Sequence, residues 1–104
     1  ATVVMLNRKS SRAEAAEEQV KKEVSNDGKV MTVECDLQDM DNVKAAAEKI
    51  KELFSESGVD VLCNNAGVMA LADEATKDGY DVQMQTNHLS HFLLTKEIFP
   101  LLEK

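Results

Sequence analysis

Val30-Met31-Thr32-Val33 is an apolar, β-branched run that delivers Cys35 and Asp36 at its carboxyl end, and a second pattern starts soon after it at Val43. From there Val43, Ala46, Ala47, Ile50, Leu53 and Phe54 recur at three- and four-residue steps, which is helical amphipathicity. The first run predicts a strand and the second a helix, with Asp39 or a neighbour as the cap and Gly58 as the stop. Strand followed by helix is the repeating unit of an α/β sheet.

The same unit recurs on both sides. Upstream, Thr2-Val3-Val4-Met5-Leu6 reads as a strand covered on both faces. Ser11-Arg12-Ala13-Glu14 has capping-box spacing and predicts a helix to about Ser25 with Ala13, Ala16, Val20 and Val24 inward. Asn26-Asp27-Gly28 should end it, Gly28 being free to take the left-handed conformation. Downstream, Val59-Asp60-Val61-Leu62-Cys63 predicts a third strand, and Asn64-Asn65-Ala66-Gly67 opens a loop to about Gly79. A last helix from about Tyr80 carries Leu89, Phe92, Leu93, Leu94, Ile98 and Phe99. Strands alternating with crossover helices imply a parallel sheet with right-handed connections, so the expected fold is α/β, a β-α-β-α-β-α portion of a doubly wound sheet. No internal repeat and no low-complexity segment interrupts it.

Length and composition narrow the class. The 104 residues suit one small domain, and 43% hydrophobic with 30% charged residues is a globular balance. A net charge of -7 disfavours nucleic acid and anionic lipid as partners. No apolar run is long enough for a membrane span, and the first residues lack the basic region of a signal peptide. Two cysteines, Cys35 and Cys63, make no disulfide framework and fit an intracellular, reducing compartment. The chain starts and stops inside buried-looking elements, so it reads as a piece of a longer protein, with a processed domain with frayed ends as the alternative.

In a doubly wound sheet ligands bind beyond the carboxyl ends of the strands. Arg8 follows the first strand and offers a planar fork to an anion such as a nucleotide 2′-phosphate; a solvated basic turn is the other reading. Asp36 can accept from an exocyclic amine such as that of adenine, or simply start a turn. Asn64, Asn65, Ala66 and Gly67 let backbone approach a bulky ligand, or form an Asn-rich turn. Asn87 falls in helical line with His91, Leu94 and Ile98, on or beside the buried stripe. A buried amide must be satisfied by a backbone group, a water or a ligand. His88 and His91 lack the third ligand that zinc wants, so no metal is expected. Cys63 and the methionines read as apolar core fillers.

Three segments together resemble the short-chain dehydrogenase/reductase family, closest to its retinol-dehydrogenase-like branch. They are Asp36-Leu37, the run Asp60-Val61-Leu62-Cys63-Asn64-Asn65-Ala66-Gly67-Val68-Met69, and Gly79-Tyr80 through Thr86-Asn87-His88-Leu89-Ser90-His91-Phe92-Leu93-Leu94-Thr95. The resemblance implies a partial Rossmann fold in which Asp36 and Leu37 hold adenine and Asn64 to Gly67 line the cofactor site. It implies that Asn87 is a member of the catalytic tetrad and that Arg8 favours NADP over NAD. The family's Gly-rich phosphate turn would precede Ala1, and its catalytic Ser and Tyr-x-x-x-Lys pair would follow Lys104. Tyr80, the only Tyr, has Met84 four residues on. In the family's sheet order a strand lies between the first and third strands of this chain, so both would face an unpaired edge.

The resemblance therefore implies a segment of an NADP-dependent oxidoreductase that interconverts an alcohol and a carbonyl on a retinol-, steroid- or lipid-like substrate, in a homo-oligomer. Hydride would pass between nicotinamide and carbonyl carbon while the family's Tyr handles the proton. These residues alone would be inactive. The alternatives are a non-catalytic dimerisation or nucleotide-binding module, with Leu93 and Leu101 as apolar outer positions, and another Rossmann relative such as a sugar-nucleotide epimerase.

Overall fold

The computed structural model describes residues 2–24, 28–69 and 72–104. Two strands, β1 (Thr2–Asn7) and β2 (Lys29–Glu34), run parallel in register from Thr2 opposite Lys29 to Asn7 opposite Glu34. The Cys35 amide donates to Asn7 O at 2.9 Å and carries the ladder one residue further. The helix α1 (Ser11–Glu23) connects the two strands, as a parallel pair requires. The architecture is α/β with a parallel sheet, as expected, and belongs to the Rossmann class.

The chain divides into two compact units, residues 1–35 and residues 36–104, each described by itself. In the first, α1 is capped by Ser10, not Ser11: the Ser10 hydroxyl accepts from Ala13 N at 3.1 Å. Ser10 sits in extended backbone and Ser11 is already helical, so the position three residues into the helix holds Ala13 and no capping box forms. Ala13, Ala16, Val20 and Val24 lie on the half-buried side as expected, yet no residue of α1 is buried. The expectation that β1 is covered on both faces also fails, since Val3 is 45% exposed and Val4 to Asn7 are half-buried. One helix is all that this unit offers as cover. The helix ends at Glu23, and the stop expected at Asn26-Asp27 lies outside the described residues.

In the second unit, α2 (Met40–Phe54) is capped by Asp39, whose carboxylate accepts from Asn42 N at 3.2 Å. Val43, Ala46, Ala47 and Ile50 are buried as the periodicity predicts, while Leu53 at the end of the stripe is exposed. They pack on the long helical run that starts with α3 (Val82–Met84), passes a π-helical turn at Gln85–Leu89 and continues as α4 (Ser90–Leu102). Leu94, Ile98 and Leu101 are its buried apolar face in α4. Two alanines on α2 allow the helices to approach closely, and each buried Val, Ile or Leu adds about 1.5–3 kcal/mol by leaving water. Lys51 ties the same two helices through Glu97 at 3.1 Å, beside Glu48 at 3.1 Å on its own helix.

Residues 59–63 do not form the expected third strand. Among the described residues no strand pairs with them, and unpaired backbone holds no sheet geometry. Val61 is consequently 80% exposed and Cys63 is exposed too, so Cys63 is no buried hydrophobe. Met69 and Met84 are likewise exposed and fill no core. No described helix is long and apolar enough to cross a membrane, and the described residues contain no metal-holding group of His, Cys, Asp and Glu.

Candidate functional site

The π-helical turn decides where Asn87 points. Ser90 N reaches back five residues to Gln85 O, which inserts one residue into the turn. Reading back from Ile98 and Leu94 at ordinary helical spacing lands on Asn87. One inserted residue shifts that phase by about 100°, so Thr86 and Gln85 take the buried positions and Asn87 is exposed. The expected place of Asn87 on the buried stripe is thereby corrected.

Asn87 turns to the 64–68 segment instead. Its Oδ1 accepts from Val68 N at 2.7 Å and its Nδ2 donates to Val68 O at 2.7 Å, so both ends of the amide serve one residue's backbone. Four residues on, His91 Nε2 lies 2.9 Å from Ala66 O. A carbonyl only accepts, so Nε2 carries the proton. Four residues further, Thr95 Oγ1 accepts from Asn64 Nδ2 at 3.1 Å while donating to His91 O at 2.8 Å.

Asn87, His91 and Thr95 thus hold residues 68, 66 and 64, with the segment antiparallel to the helix. The match is metric: four helical residues advance about 6 Å and two extended residues about 6.6 Å. A Cβ at Gly67 would stand 3.4 Å from Asn87 Oδ1, an ordinary van der Waals contact, so the lacing itself does not demand glycine there. Asn65 is exposed and makes no hydrogen bond to a described residue, which leaves its amide open.

The turn after β2 is held from behind. Gln38 N donates to Asp36 Oδ1 at 2.9 Å, Asp39 N to Asp36 O at 3.0 Å, and the Asn42 side chain accepts from Asp36 N. Leu37 O accepts from the Ser90 hydroxyl and, at 3.4 Å, from Gln85 Nε2. Gln85 Nε2 also donates to Asp78 Oδ2 at 2.9 Å, and Thr76 Oγ1 donates to Gln85 Oε1. Asp78 Oδ2 takes Met40 N as well, at 2.9 Å. That backbone donor, more than Gln85, holds the Asp78 carboxyl below its usual range. The Lys77 ammonium, 3.0 Å from Asp39 Oδ1, lowers the Asp39 carboxyl in the same way.

Arg8 belongs to the first unit. It is exposed, directly follows β1 and forms no ion pair with any described residue. Beside it in sequence, the buried Asn7 Nδ2 has no partner among the described residues.

The short chain dehydrogenase family model matches residues 1–104. The chain belongs to the short-chain dehydrogenase family. Retinol dehydrogenase 14 of Mus musculus is 37% identical over 112 residues, covering 99% of this chain and 33% of that protein. An NADPH-bound carbonyl reductase from chicken fatty liver superposes with a TM-score of 0.70 at 27% identity, covering 97% of this chain and 40% of that one. A metagenomic short-chain oxidoreductase in complex with NADP gives 0.73 at 25% identity, covering 97% and 45%. The chain spans about a third of the length of the curated relatives it matches.

In this short-chain dehydrogenase chain, Asn64, Ala66, Gly67 and Asn87 are brought together by the helix lacing; Leu37 is held by the same helical run at Gln85 and Ser90, and Asp36 by Gln38, Asp39 and Asn42. Thr95, Gln85, Ser90 and Asp78 join the site beyond the residues expected there, and His91 serves it as a donor to Ala66 O. The four-residue steps from Asn87 to His91 to Thr95 were the available signal. For Gln85 and Ser90 none existed, because their burial depends on the π-helical turn.

Proposed function

We propose that these residues form the adenosine side of the cofactor site, plus one catalytic tetrad member, in an NADP-dependent oxidoreductase interconverting an alcohol and a carbonyl. The carrying observation is the Asn64–Val68 segment, laced to the helix at alternate residues with the Asn65 amide left open and small residues at 66 and 67. Such a rigid, side-chain-poor wall is what a flat ring can lie against. Asp36 keeps Oδ1 in its own turn while Oδ2 accepts from no described residue, so one carboxylate oxygen is available to an exocyclic amine. Leu37 supplies the apolar neighbour. Arg8, without an ion-pair partner among the described residues of an acidic chain, is suited to the 2′-phosphate that separates NADP from NAD.

The bound nicotinamide supplies the hydride chemistry. Asn87 acts by keeping the Val68 peptide and the wall beside it in place. The reading takes support from relatives named as retinol dehydrogenase and as NADPH-bound carbonyl reductase, which favour a retinol- or lipid-like alcohol or carbonyl as substrate. Phe92 at 64% and Phe99 at 50% exposure, rather than Leu93 and the buried Leu101, are the outer apolar positions, and they favour a homo-oligomeric contact. The 104 residues alone should not turn over NADPH, since Tyr80 is followed four residues later by Met84 and not Lys.

The test is cofactor kinetics on the full-length protein with Arg8→Ala. Losing a charge-assisted bond of about 1.5–3 kcal/mol should raise KM for NADPH about 10- to 100-fold and leave KM for NADH within about twofold. Equal effects on both cofactors would remove Arg8 from the 2′-phosphate.

A further inference from the structure

Gln85 is 0% exposed on a helical run that also buries the apolar Val82, Leu94, Ile98 and Leu101 and, beside Gln85, the smaller polar residues Thr86 and Ser90. A buried amide is tolerated only when its donors and acceptor are matched, and a leucine would bury the same volume without that demand. The matching is complete: Nε2 donates to Asp78 Oδ2 and Leu37 O, and Oε1 accepts from Thr76 Oγ1. Ser90, also 0% exposed, puts a second donor on Leu37 O.

The receivers share a location. Leu37 O and Met40 N bracket the turn that follows Asp36, and both lead to Gln85, the first directly and the second through Asp78 Oδ2. Between them the turn is closed by its own bonds from Gln38 N and Asp39 N to Asp36. The turn that follows Asp36 is thus fixed at both ends, and the Asp36 carboxylate presents one oxygen without a partner among the described residues. A fully satisfied buried polar network rigidifies what it touches, which packing of apolar groups does less directionally.

We propose that Gln85, seconded by Ser90, is a positioning residue for adenine recognition: it acts through Leu37 O and Asp78 to aim the Asp36 carboxylate at the exocyclic amine of the cofactor. This rests on the reading of Asp36 as an adenine contact. The consequence is specific to the base. Removing Gln85 blurs the preference for adenine over a purine whose amine is replaced by a carbonyl.

The experiment compares NADPH with its hypoxanthine analogue on the full-length protein, wild type against Gln85→Leu, Ser90→Ala and Ser90→Thr. The wild type should prefer NADPH by about tenfold or more in KM, the scale of one bond to a charged acceptor. Gln85→Leu should bring that ratio to within about twofold of unity through KM, with kcat at saturating cofactor changed far less. Ser90→Ala should lose part of the preference, and Ser90→Thr, which keeps the hydroxyl, should retain it. If Gln85→Leu does not fold, the two Ser90 variants decide by the same criterion. Variants that keep the full preference overturn the inference and leave the cofactor reading intact. A wild type that binds NADPH without base preference overturns it as well, because Asp36 then reads no amine. A wild type that binds no NADPH overturns the cofactor reading and the inference together.

Discussion

Asn87 commits both halves of its amide to the Val68 backbone, and only Asn has a donor and an acceptor at that reach. Asn87→Asp keeps the acceptor but faces Val68 O with a second oxygen, and Asn87→Leu removes both bonds. At about 0.5–1.5 kcal/mol per bond, local opening should become easier by about 1–3 kcal/mol in the leucine variant. Hydrogen exchange of the Val68 amide should accelerate roughly 5- to 100-fold, while α2 amides keep their rates. Unchanged exchange at Val68 would mean that the lacing does not hold the segment. At this scale the sequence asked for a partner because helical spacing placed Asn87 on or beside the buried stripe, whereas Asn87 finds its partner while exposed. That partner, 19 residues away in the chain, was not legible there.

Gly58 shows what an element end demands. Its φ of 76° is left-handed, and a Cβ would lie 2.8 Å from both Leu101 O and Lys104 Cβ. Gly79 has a φ of 88° but nothing within 4 Å of the same atom. Alanine at 79 therefore costs only the left-handed penalty, about 1–2 kcal/mol, whereas alanine at 58 adds overpacking against backbone and costs about 1–3 kcal/mol more. Urea unfolding of the two variants should separate them in that order. The stop at Gly58 was legible because helix ends favour glycine, and so were the inward residues of α2, because 3.6-residue periodicity is local. The strand expected at 59–63 was composition without a partner among the described residues, and the capping-box spacing from Ser11 pointed one residue past Ser10, the cap that forms. The phase of the last helical run failed for a third reason, since a single inserted residue leaves no mark in an apolar pattern.

At the scale of the whole molecule, charge sets the response to pH. The carboxyls of Asp39 and Asp78 both lie below the ordinary 3.8 in the folded chain, Asp39 chiefly through Lys77 and Asp78 chiefly through Met40 N. A depressed carboxyl adds stability that is complete above 3.8 and is lost as pH falls through the lower folded value. Lys51 and Lys77 are raised above 10.5, chiefly by Glu48 and Asp39 respectively, so their contribution is complete below 10.5 and is lost as pH rises through the folded value. Thermal midpoints should therefore fall on the acid side of 3.8, and Asp78→Asn should make that fall shallower. An acid limb identical in wild type and variant would exclude Asp78 from it.

The sequence by itself determined the α/β alternation, the buried face of α2, the family and the residues worth testing. The alternation and the buried face depend on neighbours a few positions apart, where backbone geometry fixes who stands beside whom, and the family and its residues on the motifs that carry the resemblance. Only the tertiary structure decided which polar groups meet: Ser90 with Leu37 across 53 residues, His91 with Ala66 across 25, Asn87 with Val68 rather than the core. A hydrogen bond tolerates errors of only a few tenths of an ångström, and no local pattern sets the distance between segments that far apart in the chain.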